Sequence, residues 1–188
     1  MRIENYAIIA PALSNEAFNE AEAIGSAVWL WMHSDTHRNV PLHLLTSLLL
    51  PAIQSGQFAL ANENNKPVFY LSWAKMSLEA EWRHLRNLPH CLPAEDWTSG
   101  ERIWFIDWIA PFAHSQKMRE IVKHHLFANL CARSLYHRAE DKNQHIINFH
   151  GIGVAPEQAQ HWFSSNPPAL HQRPHNAAEQ RQQALETA

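Results

Sequence analysis

WFIDWIAPF, residues 104–112, sets a single carboxylate, Asp107, in the middle of an otherwise apolar run. With Arg102 and Ile103 in front of it, the stretch is rich in Ile, Trp and Phe. That pattern predicts a strand covered on both faces rather than a solvent-facing strand with alternating polarity. A buried carboxylate without a partner is costly. Asp107 therefore either faces water at an edge, pairs with a nearby cation such as Arg102, or orients a histidine by accepting one of its ring N–H groups.

Working outward, QFALAN (57–62), NENNK (62–66) and PVFYLSWA (67–74) read as strand, polar turn and strand. SLEAEWRHLRN (77–87) reads as a helix capped by Ser77, with Leu78, Trp82 and Leu85 on one face. Downstream, residues from Ser115 to about Asn129 are helical in pattern. ARSLYHRA (132–139) and QHIINFHG (144–151) suggest a second hairpin around EDKN (140–143). Upstream, Ser14 is read as the cap of a helix to about His33, with Ala17, Ala21, Ile24, Val28 and Trp31 on its apolar face. Pro41 opens a shorter helix carrying Leu42, Leu45 and Leu49. This order predicts an α+β fold, a mixed and mostly antiparallel sheet flanked by helices. Residues 1–155 are expected to form a single domain, with 1–23 as an N-terminal extension. Residues 156–188 are expected to form a short helix and a polar, Pro- and Gln-rich tail.

Hydrophobic residues make up 46% and charged residues 18%, so the chain is expected to be globular. A net charge of −3 offers no polybasic surface and argues against a nucleic-acid partner. Fourteen histidines make that charge swing strongly positive below their titration range. Cys91 and Cys131 lack C-x-x-C spacing, which suits a reducing, cytoplasmic setting. The N-terminus does not read as a secretory signal, and the apolar segment Leu42–Ile53 is too short to span a bilayer.

The other polar cluster is SDTHRNVP, residues 34–41, directly after the apolar AVWLW. His37 is the best candidate for the histidine that Asp107 would orient, against the alternative of an ordinary surface or core-edge histidine. His33 and His37 stand four apart, but there is no third ligand at motif spacing and no glutamate of the zinc-protease pattern, so no metal site is expected. Ser34 either caps the following turn or hydrogen-bonds to His37 or substrate. A nucleophilic role lacks the G-x-S-x-G elbow.

Several blocks then resemble one family, the RTX-toxin-activating lysine acyltransferases, also described as hemolysin-activating proteins. They are AVWLWMHSDTHRNVPLHLL, LLPAIQSGQFAL, PVFYLSWAKMSLE and DWTSGERIWFIDWIAPF, running from Ala27 to Phe112 in the family's order. The resemblance implies a GNAT-like acyltransferase fold, often dimeric. It implies transfer of a fatty acyl chain from acyl carrier protein to the ε-amine of an internal lysine of an RTX protoxin. It also places the family's catalytic histidine on His37, its essential acid on Asp107 and its nearby serine on Ser34. No permanently bound cofactor is implied. The chain also lacks the Q/R-x-x-G-x-G/A loop common in coenzyme A-dependent acetyltransferases, which agrees with a carrier-protein donor. Arg83, Arg86 and Arg119 are either docking charges for that donor or ordinary surface residues. The departures are Ala113, where relatives usually have Gly, the residues before about Ile24, and those after about Asn129. Alternatives are an acyltransferase with another acceptor or a coenzyme A donor, and a non-catalytic partner-binding module.

Overall fold

In the computed structural model, residues 1–86, 92–137 and 144–171 are described. Cys91, the EDKN turn and residues 172–188 of the polar tail lie outside those residues. Seven strands form one sheet in chain order: β1 (Arg2–Ile3), β2 (Tyr6–Ile9), β3 (Phe58–Glu63), β4 (Lys66–Met76), β5 (Arg102–Ile109), β6 (Cys131–His137) and β7 (Gln144–His150). Every neighbouring pair is antiparallel except β5 and β6, which run parallel. This is the mixed, mostly antiparallel α+β arrangement of the GNAT-like acyltransferases. Residues 2–9, read from the sequence as part of an extension, add two strands at one edge of the sheet.

The helices are α1 (Pro11–Ser14), α2 (Glu20–Met32), α3 (Leu45–Leu48), α4 (Leu50–Gln54), α5 (Leu78–Arg86), α6 (Ser115–Ile121) and α7 (Pro156–Ser165). The helix read from Ser14 is two helices. Asn15 adopts a left-handed backbone (φ 54°) that ends α1, so a new start is required. Asn19 provides it, accepting the Glu22 N–H at 3.0 Å, while Ser14 Oγ donates to the Ala10 carbonyl. The buried face of α2 is Ala23, Ala27, Leu30 and Trp31, shifted round from the predicted stripe. The helix read from Pro41 is a 3-10 turn (Leu42–Leu44) followed by α3 and α4, with Pro51 in the first turn of α4. Ser77 does cap α5, accepting from the Ala80 N–H at 3.2 Å. The helix read to Asn129 passes from α6 into a π-helical turn, Val122–Leu126.

β4 and β5 are covered on both sides, as the composition of WFIDWIAPF requires. On one side Phe69, Leu71, Trp73 and Phe105 pack with Met118, Ile121 and Val122. On the other, Tyr70, Leu60 and Ile109 pack against Ala27, Leu30 and Trp31 of α2. Farther along that second side, Ala74, Met76 and Trp104 pack against Ala80 and Leu85 of α5. Ser72 and Asp107 lie at the seam between these two clusters.

One irregularity sets the direction of Asp107. Ser72 pairs with Asp107, but the next residue, Trp73, pairs with Phe105, so Ile106 is an extra residue on β5. Strict alternation would send Asp107 to the side of Phe105. The bulge resets the alternation, so Ile106 and Asp107 both face the α2–α5 side while Phe105 and Trp108 face the other. A second break lies alongside. β5 and β6 pair only at Trp104–Arg133 and Phe105–Ser134, and beyond those pairs the parallel strands carry no further registered partners.

The α5 end is tied down by a buried ionic cluster. Glu81, with 0% side-chain exposure, accepts from Arg102 at 2.6 Å and from Trp104 Nε1 at 2.8 Å, and Arg133 lies 3.5 Å away. Arg133 also donates to the Asn166 carbonyl, and the Trp162 and Phe163 rings of α7 cover its guanidinium. Arg102 is thus committed to Glu81 and the Pro167 carbonyl, which rules out its pairing with Asp107.

Candidate active site

The turn after α2 brings SDTHR over the bulge in β5. His37 Nε2 stands 3.4 Å from Asp107 Oδ1, across 70 residues of sequence. On the other ring nitrogen, Nδ1, converge Thr36 Oγ1 at 2.8 Å and Ser34 Oγ at 3.0 Å. The two hydroxyls are themselves 3.0 Å apart. The His37 ring lies against Trp31, with centroids 4.9 Å apart. Ser34, His37 and Asp107, singled out from the sequence, therefore meet in space.

These partners fix the tautomer. An ionised carboxylate only accepts, so the His37 proton belongs on Nε2, facing Asp107. Nδ1 is then the basic nitrogen and accepts from a hydroxyl. The contact at 3.4 Å is longer than an ordinary N–H···O bond, a common state for catalytic contacts before substrate closes the site. Both groups are sheltered but not sealed: side-chain exposure is 21% for His37 and 13% for Asp107.

Ser72 completes the array. Its hydroxyl donates to Asp107 Oδ2 at 2.5 Å, and it accepts the Asp107 backbone N–H at 3.1 Å. The carboxylate is thereby held from two directions. Tyr70 lies deeper on the same side of β4; burial first, and then the Asp107 charge, push its phenol well above the ordinary range, so it stays neutral. Neither Ser72 nor Thr36 was selected from the sequence. The available signal for Ser72 was a lone hydroxyl in the buried run Val68–Ala74, where a desolvated polar group needs a partner. Thr36 was visible only as part of the SDTHR cluster.

A cavity of about 460 Å³ opens at this site, lined by Trp31, His37, Leu48, Trp97, Asp107 and Leu135 among others. Its walls are mostly apolar, and its size suits a long aliphatic group. It lies where β5 and β6 part. Among the described residues no group of three or more His, Cys, Asp or Glu side chains could hold a metal ion. No described helix is long and apolar enough to cross a membrane. Of the candidate docking arginines, Arg83 is bound to the buried Asp96 and Arg86 lies over the Trp82 ring, while Arg119 is exposed.

Comparison with known proteins gives one consistent result. The model of the RTX toxin acyltransferase family matches residues 16–150, a wider span than the Ala27–Phe112 covered by the motif blocks. A protein-lysine myristoyltransferase of Kingella kingae is 37% identical over 140 residues, covering 74% of this chain and 83% of the relative. A leukotoxin-activating lysine-acyltransferase of Aggregatibacter actinomycetemcomitans is 40% identical over 152 residues, covering 79% and 87%. A protein-lysine myristoyltransferase of Escherichia coli is 51% identical over 94 residues, covering 50% and 55%. The matched span contains Ser34, His37, Ser72 and Asp107.

Proposed function

The chain belongs to the RTX toxin acyltransferase family, and from that premise we propose that it transfers a fatty acyl chain from acyl carrier protein to the ε-amine of an internal lysine in an RTX protoxin. The observation that carries this reading is the Ser34–His37–Asp107–Ser72 chain at the mouth of an apolar cavity between diverging parallel strands. The acyl chain lies in the cavity. Beyond Phe105 the edge of β5 that faces β6 carries no registered pairs and is available to the amides of the carrier's extended arm.

The chemistry requires a base. A lysine side chain with a pKa near 10.4 is protonated at neutral pH, and an ammonium cannot attack a thioester. After loss of one proton to solvent, the amine nitrogen attacks the carbonyl carbon. Its second proton passes to His37 Nδ1, directly or through the Ser34 hydroxyl. Asp107, holding Nε2–H, stabilises the imidazolium that forms. The C–S bond then breaks as the C–N bond is completed, and His37 returns its proton to the departing thiolate.

The contact of Ser34 Oγ with His37 Nδ1 at 3.0 Å supports a second route. With Asp107 on the far nitrogen, the connectivity is that of a serine nucleophile, base and orienting acid, and an acyl-Ser34 ester would precede attack by lysine. Rapid quenching with donor alone separates the routes: an acyl adduct on Ser34 supports the second and its absence the first.

β7 (Gln144–His150) is the last strand of the sheet among the described residues, and its exposed Ile147 gives a homodimer a surface to use. The overall reading is tested by incubating the protein with an unacylated RTX protoxin and either acylated carrier protein or acyl-coenzyme A, then locating added acyl mass. Lysine modification with the carrier-protein donor supports it. Transfer only from acyl-coenzyme A overturns the donor assignment, and no transfer from either overturns the function.

A further inference from the structure

Two cavities flank the C-terminal end of α2, and only one is used above. Trp31 and the following His37 turn toward the acyl cavity. Trp29 and His33, on the same helix end, form the aromatic wall of a second cavity of about 400 Å³ with Phe112 of the loop after β5; Pro67 and Val68 of β4 line it too, and the β3–β4 turn adds Glu63, Asn64 and Lys66 as a polar rim. Trp29, His33 and Phe112 form a continuous aromatic ladder, with centroids 4.4 Å and 5.1 Å apart. Trp29 (42% exposed) and Phe112 both show apolar surface to water here. His33 directly precedes Ser34, so the wall of this cavity is joined through the chain to the turn that carries the reacting groups.

The wall made by Phe112 is held at a cost. Ala113, the next residue, has φ 62°, a left-handed backbone that disfavours any side chain. Such conformations persist where surrounding contacts enforce them, and they gather at binding sites. Here the following His114 is anchored to Glu63 at 3.2 Å and packs edge-on against Tyr6.

We infer that this second cavity is the seat of the acceptor polypeptide, taking an apolar or aromatic side chain beside the lysine to be modified. The inference rests on the acyl-transfer reading. With the donor's chain filling the first cavity, the acceptor must reach His37 Nδ1 from another direction, and the aromatic patch begins one residue before Ser34. An anchored neighbour then holds the lysine at the hydroxyl-bearing side of His37 and supplies selectivity among surface lysines, which the reacting groups themselves lack.

The test is kinetic, with Trp29→Ala, Phe112→Ala and the conservative Trp29→Phe. Three readouts are taken: KM for an unacylated RTX protoxin, KM for the acylated carrier protein, and donor cleavage driven by hydroxylamine in place of the protein acceptor. Loss of an aromatic anchor is expected to raise the protoxin KM about tenfold or more. Donor KM and hydroxylamine-driven cleavage should stay at wild-type values, and Trp29→Phe should retain most of the acceptor affinity. An unchanged protoxin KM, a donor KM that rises in parallel, or a change confined to oligomeric state overturns this site alone. Wild-type protein that modifies no protoxin lysine overturns the acyl-transfer reading, and this site with it.

Discussion

Replacing Asp107 with Asn removes the charge behind His37 while keeping the side chain's shape. In the structure Oδ1 lies 3.4 Å from His37 Nε2 and the pair is mostly sheltered from water. At an effective dielectric constant of about 20, unit charges at that separation attract by about 5 kcal/mol, and water reaching both groups reduces this to about 3–4 kcal/mol. That attraction exists only once His37 has taken a proton, so it stabilises the transition state and not the resting enzyme. The acyl-transfer rate should fall about 10²–10³-fold. A flipped Asn amide would add to the loss, because its N–H₂ would oppose Nε2–H and force the proton onto Nδ1. Donor affinity should change little, since the cavity wall keeps its volume. The assay is single-turnover transfer to protoxin lysine at saturating donor, quantified by mass spectrometry. A variant rate within about threefold of wild type would refute this role for Asp107.

Ser72→Ala should cost about 1–3 kcal/mol of stability, because it leaves the Asp107 N–H and Oδ2 without their buried partner; chemical unfolding checks this, and an unchanged midpoint contradicts it. Ala113→Gly should stabilise the fold by about 0.5–1 kcal/mol by relieving the positive φ, while loosening Phe112; a lowered unfolding midpoint would show that Ala113 is unstrained. Glu81→Ala should destabilise by about 3–5 kcal/mol, since Arg102 and Arg133 would face each other beside an emptied, fully buried site. A loss below about 1 kcal/mol in urea unfolding would contradict that account of the α5 anchor.

The residues that could be read from sequence are those whose chemistry conflicts with their surroundings. Asp107 in an apolar strand and the SDTHR cluster after an apolar helix both stood out, and the five strands β3–β7 followed from composition and turn residues. What could not be read depended on long-range geometry. The two short N-terminal strands are only two and four residues long; β2 takes its stability from pairing with β3, and β1 from pairing with β2. The Ile106 bulge has no local signature, yet it decides which way Asp107 points. Ser72 gains its meaning only from a partner 35 residues away. Nothing local marks Glu81 within the α5 sequence, yet it anchors a buried cluster built from β5, β6 and the segment after α7.

The most direct test of the central claim, that His37 takes the lysine proton, is acyl transfer by His37→Ala beside wild type. Both proteins receive the same acylated carrier protein and protoxin, and modified lysines are mapped and counted. Wild-type protein should acylate the lysine, and the variant should be slower by about 10²–10⁴-fold. Added imidazole, diffusing into the space left beside Trp31 and Asp107, should restore part of the rate. Equal modification by the two proteins would contradict the account.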